Sequence, residues 1–121
     1  MIATFIVDPS GYLWIADRRS EHVACADGGP VMAAGEMTFE VNGTNIEVTD
    51  VSNQSTGFCP EPTCWPAVAA ALDRIGILRP DDFTVSFTFR KCEACGGINL
   101  IKDEIFECGE CGRGLPEWWN F

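Results

Sequence analysis

Two short cysteine knuckles in the last third of the sequence constrain this chain more than anything else in it. They read Cys92-Glu93-Ala94-Cys95-Gly96-Gly97 and, twelve residues after the first pair, Cys108-Gly109-Glu110-Cys111-Gly112. Two residues between cysteines let both sulfurs reach one ion about 2.3 Å away, while the turn aims backbone amides at the thiolates. A glycine follows each pair, and glycine tolerates the positive φ that closes such a turn. Cys92, Cys95, Cys108 and Cys111 are therefore expected to hold one Zn2+ ion. Four thiolates saturate a tetrahedral ion and leave no position for water or substrate, so the expected site is structural and not catalytic. Between the pairs, Asn99-Leu100-Ile101 and Ile105-Phe106-Glu107 are expected to form a short hairpin turning through Lys102-Asp103-Glu104. That hairpin alone buries little. Zinc binding worth roughly 10–16 kcal/mol is what makes so small a unit foldable.

This segment resembles the zinc ribbons, a family whose motif covers only the last thirty or so residues. Ribbons bind nucleic acid in some proteins and protein in others, so the resemblance does not choose between them. Two competing readings belong beside it. Four thiolates also hold iron in a rubredoxin-type site, although the short spacer is more ribbon-like. Two redox-active C-x-x-C pairs would need a thioredoxin-like βαβ setting, which the sequence lacks.

Upstream, the first half reads as β structure broken by polar turns. Ile2 to Val7 is apolar and rich in β-branched residues, Asp8-Pro9-Ser10-Gly11 supplies turn chemistry, and Tyr12 to Ala16 makes the second arm of a hairpin. Asp17 to Pro30 reads as an irregular polar stretch. Val31 to Val41 is expected to be a longer strand with a bulge at Gly35-Glu36. Asn42-Gly43 signals another hairpin, returned by Ile46 to Thr49. After a loop over residues 51–63, Thr63 is expected to cap a helix over about 64–75, with Gly76 just past its end. Trp65, Val68, Leu72 and Ile75 make one apolar stripe on it, and Pro66 is tolerated in the first turn. Phe83, Val85, Phe87 and Phe89 alternate with Thr84, Ser86 and Thr88, the pattern of a strand with one buried and one wet face. The expected fold is α+β. It has a mostly antiparallel sheet, one helix and a ribbon, divided as a β-rich domain over 1–89 and a ribbon over 90–121 docked on it.

With 121 residues, of which 46% are hydrophobic, the chain is long enough to bury a core without a disulfide framework. Seven cysteines, an odd number, speak against a fully disulfide-bonded secreted domain. No apolar run reaches the 18 residues of a transmembrane helix, and Met1 to Asp8 lacks the basic and long apolar regions of a signal peptide. The expected compartment is the cytoplasm. Net charge is −10, with nine acids and two bases in residues 1–63 and nine acids and six bases in residues 64–121. Nucleic-acid binding rests on Lys and Arg displacing counterions, so this balance opposes it. The ribbon itself sets Arg90, Lys91, Lys102 and Arg113 against Glu93, Asp103, Glu104, Glu107, Glu110 and Glu117. The charged partner such a surface steers is a basic protein. Acidity that merely aids solubility is the bland reading.

The remaining chemistry lies in His22, the one histidine, and in Cys25, Cys59 and Cys64. Read blandly, the three thiols are small buried hydrophobes. A second metal site built from His22, Cys25, Cys59 and Cys64 is one alternative. Another is a thiol-dependent enzyme in which Cys25 or Cys59 attacks, His22 acts as base, and Asp27 or Asp50 orients it. No oxyanion-hole loop or phosphate-binding glycine pattern accompanies that pair. His22 through Glu36 (His-Val-Ala-Cys-Ala-Asp-Gly-Gly-Pro-Val-Met-Ala-Ala-Gly-Glu) resembles a segment of plant calmodulin-binding IQ-motif proteins and some bacterial effectors. There a His-Ser-Ser opening leads through Gly-x-Pro-Val to Ala-Ala-Gly-Glu. Thr56-Gly57-Phe58-Cys59-Pro60 partly matches that module's later Ser-Gly-His-Tyr-x-Pro. The resemblance spans at most residues 3–60 and implies a shared β-rich fold. It departs at both serines and the second histidine, and the calmodulin-binding motif is missing. Finally, Leu115 to Phe121 holds three aromatics. They either seal the ribbon against the sheet or form an exposed interaction patch.

The function these features support is that of a non-catalytic acidic zinc-binding protein. It would serve as a protein–protein adaptor or as an immunity-type inhibitor of a basic partner. The thiol enzyme is the alternative, and a nucleic-acid-binding ribbon comes third.

Overall fold

The computed structural model describes all 121 residues. A four-stranded antiparallel sheet in the order β2-β1-β3-β4 carries the first half of the chain. Its strands are β1 (Ile2–Val7), β2 (Leu13–Asp17), β3 (Ala33–Asn42) and β4 (Asn45–Val51). The β1–β2 hairpin forms where the turn residues place it. The Asp8 carboxylate accepts the Ser10 and Tyr12 amides at 2.9 and 3.0 Å and the Trp14 indole N–H at 2.8 Å. These donors hold the Asp8 carboxyl below its ordinary pKa, the Trp14 bond contributing most.

β1 sits between β2 and β3 and is buried on both faces, as an unbroken apolar run requires. On one face Phe5 and Val7 join Met37 and Val51 under the helix. On the other, Thr4 and Ile6 lie beneath the 18–30 segment, where Thr4 Oγ1 donates to the Ser20 carbonyl. That segment, read from sequence as irregular, contains a single helical turn, α1 (His22–Cys25).

The long strand begins two residues later than expected, and its irregularity lies between Thr38 and Phe39, not at Gly35-Glu36. Gly35 stays in regular register opposite Phe5. It is glycine because the Ser52 carbonyl occupies the place of a Cβ. The second hairpin turns through Gly43-Thr44, with Asn42 opposite Asn45. Gly43, at φ +62°, takes the first loop position, where a type II′ turn uses glycine.

The helix α2 (Trp65–Ile75) follows a single 3-10 turn over Pro62–Cys64. Thr63 lies inside that turn and does not cap. Cys64 takes the N-cap position with no side-chain hydrogen bond, because Pro66 already removes one of the N–H groups a cap would serve. Gly76 ends the helix at φ +72° as expected. Val68, Ala71 and Leu72 pack on the sheet and Trp65 flanks them, whereas Ile75 is exposed.

The clearest correction concerns residues 83–89. No ladder forms over Phe83 to Thr88. The chain there runs extended beside the end of β4, touching it through a parallel bridge between Ser52 and Val85. Amides of Thr84 and Val85 reach the Val51 carbonyl, and Asn53 replaces a strand neighbour further along. Its carboxamide donates to the Phe87 carbonyl at 2.8 Å and accepts the Phe87 amide at 2.7 Å, as a peptide group across a sheet would. Val85, which the alternation assigned to the buried face, is exposed. Regular pairing begins only at β5 (Phe89–Lys91), antiparallel to β6 (Ile98–Leu100). The structure is thus mostly antiparallel β with one substantial helix.

Candidate metal centre

The two knuckles share one backbone design, sixteen residues apart. The Cys92 amide donates to the Gly97 carbonyl at 2.8 Å and the Gly96 amide donates back to the Cys92 carbonyl at 2.8 Å. The Cys108 amide bonds the Arg113 carbonyl at 2.7 Å, and the Gly112 amide the Cys108 carbonyl at 2.9 Å. Gly96 and Gly112 stand at φ +77° and +75°, the left-handed conformation that a side chain would strain.

β5 and β6 present the first knuckle between them, and an antiparallel bridge between Glu107 and Gly114 frames the second. The hairpin expected between the knuckles is accordingly not the main pairing. Ile98–Leu100 pairs with β5, and between the two expected arms only the bridge Lys102–Ile105 forms. That turn runs through Asp103 and Glu104, both at positive φ.

The four sulfurs converge, all lying within 4.8 Å of one another. Cys92 Sγ is 3.5 Å from Cys111 Sγ, and Cys95 Sγ is 3.6 Å from Cys108 Sγ. Thiolates placed tetrahedrally at about 2.3 Å from one ion stand roughly 3.8 Å apart. The arrangement fits a single four-coordinate metal ion. It is also the one place in the molecule where three or more His, Cys, Asp or Glu ligand atoms gather in this way.

Backbone amides prepare the cluster for charge. Those of Cys95 and Ala94 lower the Cys92 pKa, and those of Cys111 and Glu110 bring Cys108 down to about 6. At Cys95 the Gly97 amide pulls downward, but the adjoining sulfurs of Cys92 and Cys108 outweigh it and leave the thiol at about 12. Cys111 is raised by the same balance, the Arg113 amide against its neighbouring sulfurs. Amides favour the thiolate at Cys92 and Cys108, neighbouring sulfurs disfavour it at Cys95 and Cys111, and a cation bound among them would favour all four thiolates.

Asn99 ties the knuckles together. It accepts the Gly109 amide at 3.0 Å and turns its Nδ2 toward the Cys108 sulfur at 3.6 Å. Cys92 and Cys108 are buried against Leu115, with Ile101 and Phe106 beside them, while Cys95 and Cys111 face solvent.

Polar anchors that the sequence did not reveal tie the segment after Phe89 to itself and to the loop that carries Cys59 and Glu61. Arg90 is buried. It donates to Glu61 Oε1 at 2.8 Å, to its own Phe89 carbonyl at 2.7 Å and to the Glu117 carbonyl at 2.7 Å. Asn120 brackets Lys91, accepting its amide at 2.9 Å and donating to its carbonyl at 2.7 Å. Trp119 donates its indole N–H to the Cys59 carbonyl at 2.7 Å. The tail's aromatics are exposed: Trp118, Trp119 and Phe121 all face solvent in part, and Trp119 is anchored by its indole N–H alone.

The remaining chemical side chains are scattered. His22 Nε2 donates to the Gly35 carbonyl at 2.8 Å and lines a small polar cleft with Ser20, Ser55 and Thr56. Cys25 lies in a different cleft, beside Trp14 and Asp27. Cys59 is buried with its Sγ donating to the Thr56 carbonyl at 3.5 Å, and burial raises its pKa. Burial likewise lifts Cys64 to about 11. His22, Cys25, Cys59 and Cys64 do not converge into a second metal cluster. Asp27 sits on an exposed turn at φ +52°, and Asp50 accepts from Thr49. Neither hydrogen-bonds His22.

Comparison with protein-family models, with curated proteins and with solved structures finds no match. The resemblances to zinc ribbons and to the IQ-motif module therefore rest on the quoted residues alone.

Proposed function

We propose that Cys92, Cys95, Cys108 and Cys111 hold one structural zinc ion in a ribbon-like unit spanning residues 90–121. We further propose that the protein is a non-catalytic acidic adaptor or immunity-type inhibitor of a basic protein. The observation that carries the reading is the closed donor set. Four thiols at tetrahedral separation fill every coordination position, so an ion there organises structure and has no room for substrate. Zinc suits an all-sulfur tetrahedron without redox chemistry. The ion would fix both knuckles, and through β5 and the tail it would fix the 90–121 unit against the β-rich 1–89 unit.

The partner follows from charge. A net charge of −10 steers and holds cations, and Arg90, one of the few bases near the knuckles, is spent internally on Glu61. Native mass spectrometry of the purified protein tests the metal, with one zinc per chain expected. A pull-down with the full-length, zinc-loaded protein tests the partner. The expected result is a basic protein retained at low salt and released at high salt, equally by wild type and His22→Ala. Nucleic acid retained in its place, or an effect lost in His22→Ala with the fold intact, would count against the reading.

A further inference from the structure

The two edges of the main sheet are finished differently. β4 is covered on its outer side, where the Val48 amide donates to the Leu78 carbonyl at 2.8 Å and parallel bridges join Glu47 to Leu78 and Ser52 to Val85. β2, at the opposite edge, pairs with β1 alone.

The register shows which backbone groups of β2 are left over. The Asp8 amide donates to the Tyr12 carbonyl at 2.9 Å, and antiparallel residue pairs alternate between bonded and non-bonded. Counting on from there, Trp14 bonds Ile6 and Ala16 bonds Thr4, while Leu13, Ile15 and Asp17 turn their N–H and C=O groups away from β1. The far side of β1 agrees, since the Met1 and Val7 carbonyls accept amides from Phe39 and Met32 of the β3 side. Among the outward groups of β2, the Asp17 carbonyl takes the Ser20 amide at 2.8 Å, and those of Leu13 and Ile15 have no partner in the chain. Sheets blunt an open edge with lysine, proline or a bulge, and Leu13-Trp14-Ile15-Ala16 carries none of them. Ile15, opposite Phe5 and so on the α2 face, is half-exposed at the rim of an apolar hollow of about 580 Å³ with Met1, Phe39, Val41, Ile46 and Ile77.

Two features select the strand that completes this edge. The first is symmetry. β2 is centred on Ile15, whose groups face outward, so an identical antiparallel strand related by a two-fold axis there sets Ile15 opposite Ile15 and Leu13 opposite Asp17 of the other copy. Every outward group then finds a partner, and such an isologous contact closes at a dimer. The second is charge. Arg18 and Arg19, the only bases in residues 1–63, directly follow β2, so this edge repels a basic strand although the chain as a whole is acidic. Arg19 is held by Asp17 of its own chain at 3.2 Å, which leaves Arg18. Antiparallel self-pairing lays Arg18 along the end of the other copy's hairpin, where the turn carries Asp8. The Asp8 carboxylate spends its hydrogen bonds on its own turn and acts here through charge alone.

We propose that β2 pairs antiparallel with β2 of a second copy across a two-fold axis at Ile15, joining two four-stranded sheets into one. The pairing requires neither the metal nor the basic protein proposed above.

Sedimentation equilibrium of the full-length, zinc-loaded protein tests the dimer, and hydrogen exchange locates it. A concentration-dependent dimer is expected. Amides of Leu13 and Ile15 should exchange freely in dilute protein and become protected as the dimer fills, whereas those of Trp14 and Ala16, bonded to β1, are protected throughout. Ile15→Lys, which sets two like charges opposite each other on the edge, should weaken the dimer about tenfold. Its melt should match that of wild type diluted to monomer, because the side chain is exposed. A chain that stays monomeric at every concentration would overturn the proposal. So would a dimer in which the Leu13 and Ile15 amides still exchange freely, or one that Ile15→Lys leaves as tight. Protection of those amides only on adding poly-lysine would assign the edge to a foreign basic strand and overturn it equally.

Discussion

Arg90 and Glu61, 29 residues apart in the chain, form an ion pair of 2.8 Å that fastens the strand entering the first knuckle to the loop before α2. The arginine side chain is 5% exposed and the glutamate 26%, so the pair is shielded but touches solvent on one side. Arg90 Nη1 makes two hydrogen bonds and Nη2 one, while Nε has no partner. The guanidinium therefore depends on Glu61 for its only carboxylate. Removing one member of a buried pair costs far more than the pair contributes, because the other charge is left uncompensated. Glu61→Ala is expected to lower stability by about 3 kcal/mol, the low end of that range because Glu61 keeps some hydration. Arg90→Met, which removes the buried charge, should cost less. Urea denaturation of the two variants gives the comparison, and a Glu61→Ala effect under about 1 kcal/mol would show the bridge to be incidental.

The metal should hold the knuckles and tail without holding the sheet. The main core draws on β1, β3, β4 and α2 and contains no fully buried residue beyond Leu72, whereas Cys92, Cys108 and Leu115 form a separate small cluster. Chelation, or Cys108→Ser, should abolish zinc binding and expose amides 89–115 to hydrogen exchange, while amides of β1 and β3 stay protected. Loss of protection throughout the chain would mean that the two units fold as one.

Proton uptake and release follow from the thiols. Cys108 has its pKa at about 6 and is largely a thiolate at pH 7, whereas Cys95, at about 12, is fully protonated there. Cys111 is also raised, so it too keeps its proton. A zinc ion bound by four thiolates must displace those protons, and affinity should rise with pH. Calorimetry in buffers of different ionisation enthalpy is expected to show about two or more protons released per ion near pH 7. Below pH 6 Cys108 itself protonates, and affinity should fall more steeply. Binding independent of pH between 6 and 8 would contradict a four-thiolate site.

How much of this was legible in the sequence depended on how far apart the cooperating residues lie. The knuckles, the Asp8-to-Gly11 turn and the Gly76 helix stop are local chemistry, and each appears where its residues put it. The Phe83–Phe89 alternation reads as a strand, but only Phe89 joins a ladder, because periodicity does not reveal what lies alongside. There the neighbour is largely the Asn53 side chain, which bonds at Phe87 alone and cannot propagate a ladder. The hairpin between the knuckles failed for a related reason. Ile98–Leu100 pairs with β5 across the first knuckle, while the expected second arm meets its partner only at the Lys102–Ile105 bridge. The Arg90–Glu61 pair and the Asn120–Lys91 bracket link distant segments, and neither residue type carries a pattern that marks it for burial.

Asn53 offers the sharpest separation of shape from hydrogen bonding. It is fully buried, and Nδ2 donates to both the Pro60 and Phe87 carbonyls at 2.8 Å, while Oδ1 accepts the Phe87 amide. Asn53→Ala strips partners from the buried Pro60 carbonyl and from the half-buried Phe87 amide and carbonyl, at a cost of about 3 kcal/mol. Asn53→Asp is nearly isosteric, yet it sets an oxygen against two carbonyl oxygens and buries a charge without a cation. The aspartate should therefore be the more damaging change near pH 7. It should recover partly in acid, where a protonated carboxyl can donate to one carbonyl. Thermal melts of both variants at pH 5 and pH 8 would decide this. If Asn53→Asp and Asn53→Ala melt together at both values, the carboxamide serves only to fill space.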